Sequence, residues 1–338
     1  MKKLLFVLSF VLVAWSCGDE KQAAREVVVY TALDRDFSEP IFREFTAKTG
    51  IRVRAKYDAE STKTVGLANA IRNEKNRPRC DVFWNNEILN TLLLKAEGLL
   101  QPCAPAEAEN YAAKYRDPDG YWYGFAARAR VIIVNTDLVE KEDYPESIHD
   151  LADERFRGKT GIAKPLFGTT ASHVACLFVL LGEKRAEEYL RSLKRNDVQV
   201  HGGNKGCALA VSSGRNAFAL TDTDDAIIER DAGKPVDIVY PDSHEGGMGT
   251  VFLPNTVAVV KGAPHPDEAL ALINYLLSPE VEKTLAEGPS AQIPLHRASP
   301  PNPRVKGPRD VVAADVDFDA AAAEFQKARR VVTELFLK

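Results

Sequence analysis

The sequence predicts an α/β protein with two lobes and a cleft between them. Strand-like apolar runs alternate with helix patterns, this alternation occurs in two series, and two long extended stretches join the series. Of the 338 residues, 45% are hydrophobic and 27% are charged, so the composition supports a globular core and excludes a disordered chain. The formal net charge of −4 argues against a nucleic-acid-binding protein, which usually carries a basic face.

The first series starts with a continuous apolar run at 26–33 (EVVVYTAL), which is typical of a buried parallel strand. Ser38 and Pro40 predict the start of a helix, and Gly50 predicts its end. The later elements follow the same alternation, with strands at 51–57 and 81–84 and helices at 61–76 and 86–97.

The second series starts after residue 157. Its strands are predicted at 160–163, 198–200, 217–221 and 236–240, and its helices at 169–181, 183–194, 204–213 and 224–232. The two extended stretches are 121–135 and 251–260, and further helices are predicted at 266–277, 279–287 and 317–335. Ligands of open α/β sheets gather beyond the carboxyl ends of the strands, so we expect the cleft at the turns that follow them.

The N-terminus has the pattern of a secretory signal. Lys2 and Lys3 precede an apolar run at 4–14, and the small residue Ser16 precedes Cys17. Residues 13–17 resemble a bacterial lipobox, so we expect a signal peptide over 1–16, lipidation at Cys17 and a tether over 17–25. Ordinary signal cleavage nearby and a retained anchor are the alternatives. This pattern predicts a protein of the periplasm or cell surface, held to the membrane by a lipid anchor.

Four further cysteines form an even set, which in an oxidising compartment indicates two disulfides. The pairing within each series joins Cys80 to Cys103 and Cys176 to Cys207. Four buried free thiols are the alternative. The chain has no C-x-x-C spacing, so we do not expect a zinc site.

Two predicted helix starts are candidates for anion binding. Gly168, Thr169 and Thr170 combine free backbone N–H groups with hydroxyl donors at the positive end of a helix. Asn204 lies in a second glycine-rich helix start that could add donors. Simple N-capping and a glycine turn are the alternative explanations.

An extended stretch carries Arg128 and Arg130 in alternation with alanines, so both arginines face the same side. Either guanidinium could bind an oxyanion there, or the pair could form a salt bridge between lobes. Trp84 ends a predicted strand and is a candidate for the cleft wall, with core packing as the alternative.

The segment 221–225 (TDTDD) carries three carboxylates in four positions. One aspartate in a first helical turn is explained by helix capping, but three repel one another unless a cation or hydrogen-bond donors compensate. We therefore expect a ligand role for Asp222, Asp224 and Asp225.

Seven stretches resemble, in the same order, type 2 periplasmic substrate-binding proteins of ABC importers, and especially their ferric-ion-binding group. They are VVVYTALD (27–34), FTAKTGIRVR (45–54), CDVFWNNE (80–87), AEGLL (96–100), ARARVIIVNT (127–136), RFRGKTGIA (155–163) and FALTDTDDA (218–226). The resemblance implies two lobes hinged by strands near 126–134 and 252–260, with lobe 1 over 26–126 plus 256–290 and lobe 2 over 127–255 plus 291–338. It also implies a monomeric binding protein with no catalysis and no resident cofactor, whose partners are an ABC permease and its ATPase.

The resemblance also shows that the family's iron ligands are replaced. In place of its histidine, its glutamate and its two adjacent tyrosines stand Asp34, Asn86 (followed by Glu87), and the pair Thr223 and Asp224. Asp34, Asp222 and Asp224 could still form an oxygen site for a hard cation. Equally, they could bind the hydroxyls or an ammonium group of an organic ligand.

The predicted function is therefore ligand capture for import, with iron(III) plus a synergistic anion, or a phosphate- or phosphonate-type oxyanion, as the ligand. An exported metal-dependent hydrolase using 222–225 and a sensor without transport are the alternatives, although common hydrolase motifs are absent from the sequence. The predicted ligand contacts are Asp34, Trp84, Asn86, Glu87, Arg128, Gly168, Thr169, Thr170, Asn204, Asp222, Thr223, Asp224 and Asp225.

Overall fold

The structure is a computed structural model that describes residues 25–58 and 64–337. The predicted signal peptide, Cys17 and nearly all of the predicted tether lie outside the described residues, as does the predicted helix start at 61. Within the described ranges, no helix combines the length and the apolar character needed to cross a membrane.

Ten strands and ten α-helices are assigned in the described part of the chain. The strands are β1 (Glu26–Thr31), β2 (Arg52–Tyr57), β3 (Val82–Asn85), β4 (Leu100–Gln101), β5 (Tyr123–Asn135), β6 (Thr160–Ala163), β7 (Gln199–His201), β8 (Phe218–Asp222), β9 (Val236–Val239) and β10 (Phe252–Val260). The helices are α1 (Arg35–Thr49), α2 (Val65–Asn73), α3 (Leu89–Ala96), α4 (Gly168–Leu180), α5 (Glu183–Arg195), α6 (Asn204–Ser212), α7 (Thr223–Asp231), α8 (Pro266–Leu276), α9 (Pro279–Glu287) and α10 (Phe318–Phe336).

The strands form one sheet in the order β2-β1-β3-β10-β5-β8-β6-β7, with β4 beside β10 and β9 beside β5. The half that contains β1, β2 and β3 (lobe 1) has parallel pairs, as does the half that contains β6, β7 and β8 (lobe 2). Between them, β10 and β5 pair antiparallel to each other and to their outer neighbours β3 and β8. The predicted two-lobed α/β fold with two connecting strands is confirmed.

Apolar helix faces pack onto this sheet. In α1, Ile41, Phe42 and Phe45 are buried, and the helix ends at Gly50 in a left-handed conformation with φ 73°. The Gly50 N–H donates to the Thr46 carbonyl at 2.9 Å, which closes the last turn. Each large apolar side chain buried in this way contributes about 1.5–3 kcal/mol of transfer free energy.

The helix predicted at 86–97 begins later, at Leu89. The Glu87 carboxylate accepts hydrogen bonds from the backbone N–H groups of Leu89 at 2.6 Å and Asn90 at 3.0 Å. The carboxylate therefore satisfies donors of the first turn from outside the helix, which delays the start of α3 beyond the sequence prediction.

The two predicted disulfides are wrong, because Cys80, Cys103, Cys176 and Cys207 are all free thiols in the structure. Three of these cysteines are buried, and Cys103 is half-buried. The Cys80 thiol lies in the core, where its Sγ is 3.2 Å from the carbonyl oxygen of Val82. Burial raises the pKa of the Cys103 thiol to about 11. Burial raises the pKa of the other three thiols as well, so all four are protonated, and Cys80, Cys176 and Cys207 are small apolar core residues.

Candidate functional site

A cavity of about 730 Å³ lies at the carboxyl ends of strands from both lobes. Asp34 and Asn86 reach it from the turns after β1 and β3, while Ala163, Gly202 and Asp222 reach it from the ends of β6, β7 and β8. Parallel strands bring their carboxyl ends to one edge of a sheet, which explains why residues distant in sequence meet here.

Two uncapped helix starts form part of the cavity wall. The residues before α4 and α6 are Phe167 and Gly203, and neither provides a side-chain hydrogen bond to the helix. The predicted residues Gly168, Thr169, Thr170 and Asn204 all line the cavity, together with Lys164 and Lys205. Free N–H groups, helix dipoles and two ammonium groups thus give this wall a positive character.

Asp222 is the centre of a buried hydrogen-bond network beside this wall. Its carboxylate accepts from Arg130 Nη1 at 2.5 Å, Thr169 Oγ1 at 2.5 Å and Asn204 Nδ2 at 2.8 Å. Burial raises the pKa of Asp222, but the positive charges of Arg130 and Arg128, with the Thr169 hydroxyl, outweigh it and hold the pKa below its usual range. Asp222 is therefore an ionised group that organises the site from within.

Arg128 connects the two sides of the cavity. Its Nη2 donates to the backbone carbonyl of Asn86 in lobe 1, and its Nη1 lies 3.4 Å from Asp224 Oδ2 in lobe 2. Burial lowers the pKa of Arg128, but the surrounding carboxylates, chiefly Asp224 and Asp222, raise it by a larger amount. The pKa of Arg128 is therefore above its usual value. Arg128 Nε and Asn86 Oδ1 are buried without a hydrogen-bond partner among the described residues, and both side chains line the cavity.

The carboxylates gather around Asp222. Asp222, Asp224 and Asp225 offer oxygen atoms that all lie within 4.8 Å of one another. Asp34 also lines the cavity, but it is exposed and does not belong to this group. The predicted metal set of Asp34, Asp222 and Asp224 stays a prediction, and among the described residues it is Asp225 that lies close to Asp222 and Asp224. The described lining contains no tyrosine, histidine or cysteine, so its potential metal ligands are oxygen atoms alone.

Three predicted contacts do not line the cavity. Trp84 is fully buried between Phe42 and Phe125, with ring centroids 5.6 and 5.4 Å away. Glu87 is fully buried and turns away to cap α3. The Thr223 hydroxyl accepts from the backbone N–H of Ala129 at 3.2 Å and thus ties α7 to β5. All three predictions are corrected, because these side chains satisfy the core or the backbone.

The predicted ligand contacts leave out four charged residues of the lining, which are Asp36, Lys164, Lys205 and Glu229. Lys164 follows β6 directly, so the strand-end rule already pointed to it. Glu229 lies four residues after Asp225 in α7, and this spacing places both carboxylates on one helix face. His173, one turn after Thr169 in α4, is buried, and burial together with the charge of Arg130 lowers its pKa to about 3. Its imidazole is therefore neutral.

The sequence model of a family described as bacterial extracellular solute-binding protein matches residues 91–315. The chain belongs to this family of solute-binding proteins. Its relatives include iron uptake protein A1 of Synechocystis sp., 25% identical over 337 residues, covering 94% of this chain and 91% of that protein. The major ferric iron-binding protein of Neisseria meningitidis is 25% identical over 294 residues and covers 86% of each chain.

Solved structures agree with this assignment. Iron-bound HitA from Pseudomonas aeruginosa has a TM-score of 0.82 at 25% identity, covering 91% of this chain and 99% of that one. AfuA from Actinobacillus pleuropneumoniae, with exogenous fructose-6-phosphate bound, has a TM-score of 0.81 at 21% identity, covering 92% and 98%, and supports the fold alone. This solute-binding protein therefore has the predicted type 2 fold, and like its relatives it is a transport protein and not an enzyme.

Proposed function

We propose that this solute-binding protein captures a small organic solute with a phosphate- or phosphonate-type oxyanion, and presents it to an ABC permease and its ATPase. The observation that carries the proposal is the cavity wall. It combines the uncapped starts of α4 and α6 with Lys164 and Lys205, and no described lining residue offers a phenolate. A volume of about 730 Å³ also lies within the range of about 300–1,000 Å³ that small organic ligands occupy.

The hydrogen bonds around Asp222 limit which donors remain available to bind the oxyanion. The Thr169 hydroxyl and the Asn204 amide already donate to Asp222. The first-turn backbone N–H groups of α4 and α6 and the two lysines are therefore the donors proposed for the ligand. Asp224 and Asp225, which line the cavity, would accept from hydroxyl or ammonium groups at the other end of the ligand.

The proposal extends to the cell-envelope location and to lobe motion. A lipid on Cys17 would hold a monomer at the membrane near the permease, after removal of residues 1–16. The proposed lobes are 26–126 plus 256–290 and 127–255 plus 291–338, closing about the hinge strands β5 and β10. Closure of this kind would bring Asn86 in lobe 1 against the helix starts in lobe 2.

Iron(III) with an accompanying anion is a second candidate. It is favoured by the three clustered carboxylates Asp222, Asp224 and Asp225 and by relatives named as iron-binding proteins. Against it stands the Arg128 guanidinium, 3.4 Å from Asp224, whose positive charge repels a trivalent cation. Asp222 is in addition already neutralised by Arg130.

A thermal-shift and calorimetry screen separates the two candidates. The chain from residue 18 is tested with 2-aminoethylphosphonate, glucose 6-phosphate, inorganic phosphate, and ferric nitrilotriacetate with and without phosphate. A ligand at 100 times its Kd should stabilise the fold by about 2.7 kcal/mol. The proposal expects a phosphorylated or phosphonate compound to do so, and expects Lys205→Gln to weaken it while Lys184→Gln, outside the cavity lining, does not. Stabilisation by ferric ion alone, lost in Asp224→Asn and retained in Lys205→Gln, would overturn the proposal in favour of iron.

A further inference from the structure

A buried hydrogen bond outside the cavity lining joins lobe 1 to lobe 2. The Ser172 hydroxyl, in α4 of lobe 2, donates to Glu87 Oε2, between β3 and α3 of lobe 1, at 2.6 Å. Both side chains are shielded from solvent, with exposed fractions of 1% and 0%. Neither residue lines the cavity, so the bond is separate from the ligand contacts proposed above.

Glu87 is held rigidly on its own side. Besides the backbone donors of α3, its carboxylate accepts from Asn85 Nδ2 at 2.8 Å and from Asn90 Nδ2 at 2.9 Å. Its backbone carbonyl accepts from Thr256 Oγ1 of β10 at 3.3 Å. A side chain fixed by this many partners cannot follow lobe 2 when the lobes separate, so the bond to Ser172 must break when the lobes open.

The bond also lies next to the groups that face the ligand. Asn86 immediately precedes Glu87, and its carbonyl accepts from Arg128 while its side-chain oxygen lacks a partner at the cavity wall. Ser172 lies in the first turns of α4, two residues after the lining residue Thr170. Helix α10 packs against both α3 and α4. The Glu87–Ser172 bond thus joins the residue after Asn86 to the first turns of α4.

We propose that Glu87 and Ser172 form an inter-lobe latch, which positions Asn86 against α4 in the closed protein and slows ligand release. The proposal rests on solute binding in this cavity but not on which solute binds. The latch contributes to the closed form only, because in the open form water replaces the partner of the Ser172 hydroxyl. It therefore acts on the balance between open and closed forms more than on folding.

Ser172→Ala tests the latch because Glu87 keeps its bonds to Asn85, Leu89 and Asn90. Small-angle X-ray scattering of the ligand-free protein is expected to show a more open ensemble than wild type. Stopped-flow tryptophan fluorescence with 2-aminoethylphosphonate is expected to show a dissociation rate about 10-fold higher, equivalent to about 1.4 kcal/mol. Glu87→Gln, which removes the charge of the acceptor, should change both measurements in the same direction.

Thr160→Val is the matched control, since its hydroxyl makes a buried 2.8 Å hydrogen bond to the Leu151 carbonyl within lobe 2. It should lower the melting temperature without opening the ligand-free protein or accelerating release. Unchanged scattering in a folded Ser172→Ala protein, or an equal effect of Thr160→Val, would overturn the latch. If none of the phosphate and phosphonate compounds of the screen binds wild type, the proposed ligand class is contradicted, and scattering of the ligand-free variants still decides the latch.

Discussion

Acidification is expected to destabilise this protein through His173. The residue is buried in α4, and burial together with the nearby charge of Arg130 lowers its pKa from 6.5 to about 3, an effect that Asp222 only partly offsets. A histidine with a lowered folded pKa contributes stability that is present above the unfolded pKa and is lost as the pH falls towards the folded value. When the pH falls from about 8 to about 5, this linkage predicts that the free energy of unfolding decreases by about 2 kcal/mol because of His173 alone.

Urea unfolding followed by circular dichroism at both pH values measures this loss. Other groups titrate over the same interval, so the comparison is between wild type and His173→Gln, which lacks the titrating ring. Between the two pH values, the free energy of unfolding should fall by about 2 kcal/mol more in wild type than in the variant. His244→Gln removes an exposed histidine and should retain the full wild-type loss.

The comparison has a clear negative outcome. If acidification lowers the free energy of unfolding equally in wild type and His173→Gln, the imidazole is protonated in the folded state at little cost. Water or a carboxylate would then reach the ring inside the lobe 2 core, and the proposed repulsion by Arg130 would be wrong. A smaller loss in His244→Gln than in wild type would show that generic removal of a histidine explains the result.

Three further predictions concern buried polar and thiol groups. Arg130→Met should destabilise the fold by about 3–5 kcal/mol in urea unfolding, because Asp222 loses its nearest cation, and a loss below about 1 kcal/mol would contradict the network. The chain from residue 18 should show four free thiols by Ellman titration in denaturant, and its melting temperature should not change with dithiothreitol. A count below four would show that disulfides form after all. Burial raises the pKa of Glu282 despite its backbone donors, including the N–H groups of Ala126 at 2.8 Å and Leu295 at 2.9 Å. Its contribution to stability is therefore greatest at low pH and falls as the pH rises through the raised pKa, and Glu282→Gln should flatten this dependence between about pH 4 and pH 7 in the same unfolding assay.

The fold was largely predictable because its signals are local. Apolar periodicity and the Gly50 stop depend on residues close in the chain, and they placed nearly every strand and helix. The strand-end rule also brought Asp34, Asn86, Thr169 and Asp222 to one cavity. The resemblance to a known family then supplied the crossing of β5 and β10, which no local pattern contains.

The direction of individual side chains was not predictable. Trp84 and Asn86 lie two residues apart, yet the tryptophan packs into the core while the asparagine faces the cavity. Asp222 meets Arg130 across 92 positions of sequence, so its charge is balanced by a partner that spacing alone does not reveal. Similarly, even numbers of cysteines indicate disulfides only when the Cα atoms approach closely, which depends on the whole fold.

The place of β10 in the sheet has a consequence for the order in which the chain can fold. Val82–Asn85 of β3 pairs with residues 256–259 of β10, which follow about 170 positions later in the chain. As the chain emerges from the ribosome or a translocation pore, the first three strands must keep an unpaired edge until residue 260 is available. Folding of this half is therefore a late event, and an N-terminal fragment ending before β10 should expose an aggregation-prone strand edge to chaperones.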